Sequence, residues 1–193
     1  EPVGRNTAPA VLMAALQLKS QGQDGLMLVV PSDHLIPEFD KFYEAVHEGK
    51  IAALEGAVVT FGITPTRPEI GYGYIKTEDA LTSVRPVSAF IEKPSIEKAK
   101  EMFECGQYLW NSGIFLVNVN EIVELAMKYQ PEMLNLIKEA MSNLTTDEPF
   151  LRPDAGKWEL IQSNSIDYAI IEKCENLACV PFSGDWSDLG DWS

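Results

Sequence analysis

A chain of 193 residues has the length of one domain, or of a main domain with a short appendage, and can bury a core without disulfides or a structural metal. Fifteen Lys and Arg against 29 Asp and Glu leave a formal charge of −14. That argues against non-specific nucleic-acid binding, which depends on clustered cations, so phosphates could be bound only where a few cations, backbone N–H groups or a metal are concentrated. The chain opens on Glu1-Pro2-Val3-Gly4-Arg5 rather than Met, as though cut from something longer. Val11, Ala14, Ala15 and Leu18 then follow the spacing of a helix buried on one face, with Asn6 or Thr7 as its N-cap and Pro9 in its first turn. Gly22 and Gly25 end it. The apolar run 26–30, bounded by Gly25 and Pro31, predicts a strand covered on both faces. Phe39, Phe42, Tyr43 and Val46 repeat the helical spacing, and 58–63 reads as a second buried strand. Helix, strand, helix, strand is the rhythm of an α/β sheet with parallel strands.

Past Ile63 come Pro65, Pro68 and a glycine-punctuated Gly71-Tyr72-Gly73-Tyr74-Ile75, then a strand at 87–91. Ser95 can cap a helix carrying Ile96, Ala99 and Phe103, and 109–117 reads as a strand with Asn111-Ser112-Gly113 inside it. Asn118 and Glu121 have the spacing of a capping box for a helix with Ile122, Leu125, Ala126 and Tyr129 on one face. Pro131 opens another, with Leu134, Ile137 and Met141 inward. Residues 145–153 read as a loop, Ile166, Ala169 and Ile170 as a short helix, and 177–180 as a last strand. Without repeats, low-complexity tracts or a composition shift, one domain over 1–193 is expected. Cys105, Cys174 and Cys179 are odd in number and show no C-x-x-C spacing. With no signal peptide and no run of membrane length, a cytoplasmic chain with reduced thiols is expected.

Five segments hold candidate chemistry. Asp33 follows the most apolar strand, where open α/β sheets bind ligands, although an Asx turn explains most Asp residues so placed. The tail 184–193 repeats Gly-Asp-Trp-Ser and spaces Asp185, Asp188 and Asp191 evenly. Such carboxylates can hold a hard cation or merely form a solvated acidic loop. Glu92 and Lys93, at a strand end closed by Pro94, offer an acceptor for hydroxyls and a point charge for a phosphate, or else a surface ion pair. Gly73 and Asn111 could bring a backbone N–H and an amide to a ligand, where turn glycines beside strands are otherwise ordinary. Tyr108 and Trp110 read as core, and His34 and His47 as structural or surface residues.

Seven motifs stand in order over essentially the whole chain: Glu1-Pro-Val-Gly-Arg-Asn-Thr-Ala-Pro-Ala10, Pro31-Ser-Asp-His34, Thr66-Arg-Pro-Glu-Ile-Gly-Tyr-Gly-Tyr-Ile75, Phe90-Ile-Glu-Lys-Pro94, Trp110-Asn-Ser-Gly-Ile-Phe115, Ser165-Ile-Asp-Tyr-Ala-Ile170 and Trp186-Ser-Asp-Leu-Gly-Asp-Trp192. Together they resemble the nucleotidyltransferase domain of the mannose-1-phosphate guanylyltransferases, most closely the bacterial type often fused to a phosphomannose isomerase. The resemblance implies an α/β, Rossmann-like domain whose mixed, mostly parallel sheet is flanked by helices. It implies the reaction of GTP with mannose 1-phosphate to GDP-mannose and pyrophosphate, with Mg²⁺ as cofactor. By motif, Asp33 and Asp188 would hold the metal, the Trp-x-Asp pattern selecting Asp188 over Asp185 or Asp191. Lys93 would hold the substrate phosphate, Glu92 and Asn111 the sugar hydroxyls, and the Gly73 N–H another sugar oxygen. Glu1, Gly4 and Asn6 would form the guanine-recognition segment, with Arg5 assisting the phosphates.

The family's glycine-rich signature, of the kind G-G-x-G-T-R-L-W-P, is absent from these residues. Ile70 stands where the family often has Thr, and Ser32 where it often has Ala. The expectation is therefore an N-terminally truncated piece, inactive by itself, without the β-helix or isomerase domain of the family's C-terminal part. A homo-oligomer stays open, and no nucleic-acid or membrane partner is expected. A pyrophosphorylase for another hexose 1-phosphate or NTP, and a non-catalytic nucleotide-sugar-binding regulatory subunit, remain as alternatives.

Overall fold

The computed structural model describes residues 1–78, 82–147 and 149–189. Asp191 and the second Gly-Asp-Trp-Ser of the tail lie outside the described residues. In chain order the elements begin with α1 (Thr7–Ser20), β1 (Leu26–Val29), β2 (His34–Leu35), α2 (Phe39–Leu54), β3 (Val58–Ile63), β4 (Tyr74–Thr77) and β5 (Arg85–Ile91). They continue with α3 (Ile96–Cys105), β6 (Tyr108–Asn118), α4 (Val119–Tyr129), α5 (Pro131–Met141), β7 (Thr145–Asp147) and β8 (Phe150–Arg152). Last come α6 (Ala155–Glu159), α7 (Ile166–Ala169), a 3-10 turn (Ile171–Lys173), β9 (Leu177–Phe182) and β10 (Ser187–Asp188). Contacts divide the chain into two compact units, Glu1–Gly25 with Val119–Cys174, and Leu26–Asn118 with Glu175–Ser193. Among the described residues no helix is long and apolar enough to cross a membrane.

The second unit is built on a six-stranded sheet of order β1-β6-β3-β9-β5-β4, with β4 also pairing with β6. The α/β class and mixed sheet agree with expectation, but the sheet is not mostly parallel. Only β3 and β9 pair in parallel within it, and the other described pairings are antiparallel. The reason lies in β6. Helix α2 does return the chain so that β1 and β3 run the same way, yet β6 lies between them antiparallel to both. A crossover fixes strand direction without making the two strands neighbours.

The same order corrects the reading of β1 as covered on both faces. It is the terminal strand, and Leu28 and Val30 are 39% and 53% exposed. In contrast β3, flanked by β6 and β9, has all six residues buried. Helix α2 turns Phe42, Ala45, Gly49 and Ala53 inward, leaving Phe39 and Tyr43 exposed. Its close approach explains the choice of face, because a Cβ on Gly49 would come 2.9 Å from Val59 Cγ1. Ser95 caps α3 as expected, accepting from the Lys98 N–H at 3.4 Å, but Ala99 and Met102 form the buried face and Ile96 is exposed.

In the first unit α1 packs against α4, α5 and α7. Asn6 is its N-cap, its side chain accepting from the Thr7 N–H at 2.8 Å. In the stretch expected to be a loop, β7 pairs antiparallel with β8, and the residues of both strands are exposed. Arg152 closes the pair, its Nη2 2.7 Å from Asp147 Oδ2 and its guanidinium over the Phe150 ring. The N-terminal segment is strapped within this unit. Trp158 Nε1 donates to the Val3 carbonyl, Asn164 N–H to the Arg5 carbonyl, Ala8 N–H to the Asn164 carbonyl, and Ile166 N–H to Thr7 Oγ1.

Candidate active site

Two short strands bring Asp33 and Asp188 to neighbouring positions in the second unit. In the antiparallel ladder of β2 with β10, Asp188 lies opposite His34 and Ser187 opposite Leu35. The Leu189 N–H donates to the Asp33 carbonyl at 3.0 Å, so Asp33 and Asp188 flank the same end of the ladder. Asp33 is exposed and Asp188 half-buried. His34 feels both carboxylates: burial lowers its pKa, while Asp188 and then Asp33 oppose that shift. Trp186 Nε1 donates to His34 Nδ1 at 3.2 Å, which requires an unprotonated Nδ1. His34, expected to be structural or surface, is thus a structural partner inside the site.

Three of the predicted sugar-binding residues converge on one strand junction. Tyr74 pairs with Ile91 on one side and Trp110 on the other, and the Asn111 N–H donates to the Gly73 carbonyl at 2.8 Å. A Cβ on Gly73 would come 2.5 Å from Glu92 Oε2 and 3.2 Å from Asn111 Cβ, so only glycine leaves Glu92 and Asn111 their places. Asn111 is 7% exposed, and its Oδ1 accepts from Thr60 Oγ1 at 2.9 Å and from the Gly113 N–H at 3.2 Å. Those two donors fix which way the amide faces. Lys93 follows directly, exposed, with φ at +44°, ahead of the buried Pro94.

A cavity of about 730 Å³ opens beside Asp188, with Arg67, Tyr72, Trp110, Trp186 and Ser187 in its wall. Gly73, Glu92, Lys93, Asn111 and Asp33 are not among its lining residues. Trp110 is core, as expected, at 4% exposure, and it also forms part of this wall; its Nε1 is buried with no acceptor among the described residues. Arg67 stands over the Trp110 ring at 5.6 Å and pairs with Glu69 Oε2 at 3.0 Å. Sequence reasoning missed Arg67, Glu69 and Tyr72. The available signal was the proline- and glycine-punctuated stretch 65–73, too irregular for either period and too long for a simple turn.

In the first unit Glu1, Gly4 and Asn6 are exposed. Asn6 has φ 66° and ψ −167°, backbone that favours glycine. Arg5 Nη2 donates to the Glu159 carbonyl, and Arg5 Nε is buried with no acceptor among the described residues.

The model of a family described as nucleotidyl transferase matches residues 1–193. The alginate biosynthesis protein AlgA of Pseudomonas syringae pv. tomato is 43% identical over 100% of this chain and 41% of its own length. A mannose-1-phosphate guanylyltransferase of Salmonella montevideo is 40% identical over 100% of this chain and 42% of its own. The chain thus spans about two fifths of the length of these curated relatives. A crystal structure from Thermus thermophilus, described as a mannose-1-phosphate geranyltransferase, matches with a TM-score of 0.87 and 32% identity, covering 100% of this chain and 54% of that one.

Proposed function

This chain belongs to the nucleotidyl transferase family, and from that premise we propose that it bears the sugar- and metal-binding residues for transfer of GMP from GTP to mannose 1-phosphate, giving GDP-mannose and pyrophosphate. The reading rests on the convergence of Glu92 and Asn111 around Gly73, in the same unit as the Asp33 and Asp188 ladder. The names of relatives such as the mannose-1-phosphate guanylyltransferase support it.

A phosphate oxygen of mannose 1-phosphate attacks the α-phosphorus of GTP in line. One P–O bond forms as the bond to the β-phosphate oxygen breaks, and pyrophosphate leaves with that electron pair. Catalysis of this kind is mostly positioning and charge neutralisation. Lys93 binds the phosphate of mannose 1-phosphate as a point charge. Glu92 accepts from sugar hydroxyls, Asn111 adds an amide held by Thr60 and Gly113, and Gly73 offers its N–H where any side chain would collide with Glu92. Glu1, with Gly4 and Asn6, selects guanine, a carboxylate being a suitable acceptor for its N1–H and 2-amino group. Arg5 assists the phosphates. An oxygen-only pair, one member exposed, suits a cation that keeps several waters, and Asp33 and Asp188 would hold Mg²⁺. When bound, the ion supplies Lewis-acid neutralisation of phosphate charge. The charge of −14 fits small anions taken at a built site rather than nucleic acid.

The test is pyrophosphate release from GTP with mannose 1-phosphate, measured on a longer protein that carries these 193 residues together with a glycine-rich signature. Asp188→Asn is expected to lower kcat by about 100-fold or more with the fold retained. Undiminished turnover in that variant would remove the metal assignment, and faster turnover of another NTP or hexose 1-phosphate would reassign the substrate. The 193 residues alone, which contain no glycine-rich signature, are expected to bind mannose 1-phosphate without forming product. Steady pyrophosphate release from them would overturn that expectation.

A further inference from the structure

Asp33 and Asp188 stand at a ladder only two residues long on each strand. A two-stranded piece of that size has no stability of its own, so its register must be fixed from outside. The residue placed to do so is Trp186, immediately before β10. Its Nε1 is bonded to His34 Nδ1 at 3.2 Å, and its ring meets the imidazole edge-on at 5.2 Å and 88°. Trp186 is itself met by the ring of Tyr72, at 5.2 Å and 74°. Tyr72 also meets Trp110, again at 5.2 Å, inclined at 72°. Trp110 is immobile by comparison: it is 4% exposed and paired with Ile63 on β3 and Tyr74 on β4. All these rings are at distances and tilts favoured by aromatic quadrupoles. They form a chain from the sheet core to the acid pair, with Tyr72 as its middle link.

A further observation places Tyr72 there. Glu69 Oε1 accepts from the Ile70 and Gly71 N–H groups, setting the turn from which Tyr72 projects. Burial pushes the Tyr72 phenol pKa up, with the Asp188 carboxylate adding to the rise and the Arg67 guanidinium opposing it.

We propose that Tyr72 is a positioning residue for the Asp33 and Asp188 pair: its ring, wedged between two indoles, holds Trp186 and thereby keeps β10 in register with β2. The inference rests on the reading above, in which the pair holds a divalent cation. The turn that presents Gly73 to the sugar is then the same one that braces the metal carboxylates.

The experiment titrates Mn²⁺ alone into the protein, followed by the free-ion electron paramagnetic resonance signal, and measures hydrogen exchange at the Leu189 N–H, which needs no metal. Tyr72→Leu, which keeps an apolar side chain but removes the ring, is expected to weaken Mn²⁺ binding by about tenfold or more. It should speed Leu189 exchange by about tenfold, the ladder opening locally. Tyr72→Phe keeps the ring edges and should restore both to within about twofold of wild type. If Tyr72→Leu does not fold, Trp186→Phe, which removes the bond to His34, should show the same two changes. Wild-type affinity in folded Tyr72→Leu would overturn the proposal. So would a Tyr72→Phe variant as impaired as Tyr72→Leu. A wild-type protein that binds no Mn²⁺ would overturn the metal reading instead, and unchanged Leu189 exchange would still overturn the role of Tyr72.

Discussion

Lys93 and Asn6 are the non-glycine residues with positive φ among the described residues, at 44° and 66°. An L side chain held there costs about 1–2 kcal/mol. Such strain persists where the surroundings over-determine the backbone, and it clusters at binding sites. Lys93 fits that pattern, because the half-buried Glu92 before it and the buried Pro94 after it leave the chain little choice. Lys93→Gly would release the strain, while a more flexible unfolded chain would take back about 0.5–1 kcal/mol. The melting temperature is therefore expected to stay level or rise by up to about 4 °C. Loss of the charge-assisted bond to phosphate should meanwhile raise the Kd for mannose 1-phosphate by about tenfold to a hundredfold. A variant that loses stability yet keeps the wild-type Kd would contradict both the strain and the phosphate role.

At the scale of the element, the stretch from Thr64 to Gly73 is held by one carboxyl. Glu69 Oε1 accepts from the Ile70 and Gly71 N–H groups at 2.9 and 3.0 Å, Oε2 from Arg67 Nε at 3.1 Å, and the Glu69 N–H donates to Tyr74 Oη at 2.9 Å. The Gly71 N–H first, then Arg67 and the Ile70 N–H, hold the Glu69 pKa below the usual carboxylate range against the opposing effect of burial. A pKa lowered on folding contributes stability that is complete above the unfolded value, about 4.3, and lost as pH falls through the folded one. Gly71 N–H exchange protection should therefore fall in acid below about pH 4, and Glu69→Gln should flatten that dependence. Protection in the wild type that does not change between neutral pH and pH 3 would show that Glu69 does not hold the loop. None of this was legible in the sequence, because the bonds depend on a turn that no period announces. Ser95 and Asn6 were legible as caps, since a cap is local. The strands β2 and β10 were not: two residues cannot display an alternation, and their pairing depends on residues far apart in the chain. The pairing of β7 with β8 was missed for a related reason, as the residues of both strands are exposed and leave no buried face to read.

At the scale of the whole chain, the element types from α1 to β9 largely followed from apolar spacing, whereas neighbour order in the sheet did not. Helix α2 dictates that β1 and β3 run alike, but only the return of β6 decides that they do not touch. The consequence is a sheet whose covered centre is β3 with β9, and Cys179 lies in that centre, opposite Thr60. Its thiol is fully buried, and burial pushes the pKa up to about 12, so almost no thiolate exists near neutral pH. Cys105 is exposed at the end of α3, and none of the three cysteines forms a disulfide. A maleimide reagent at neutral pH is therefore expected to label Cys105 at once and Cys179 only as fast as the sheet opens. Because the strands of a core open with the highest free energy in a structure, Cys179 labelling should accelerate with denaturant along the slope of global unfolding. Labelling of Cys179 in native buffer at the rate of an unprotected thiol would mean that β9 frays independently, and the flank on which β3 depends would then be missing.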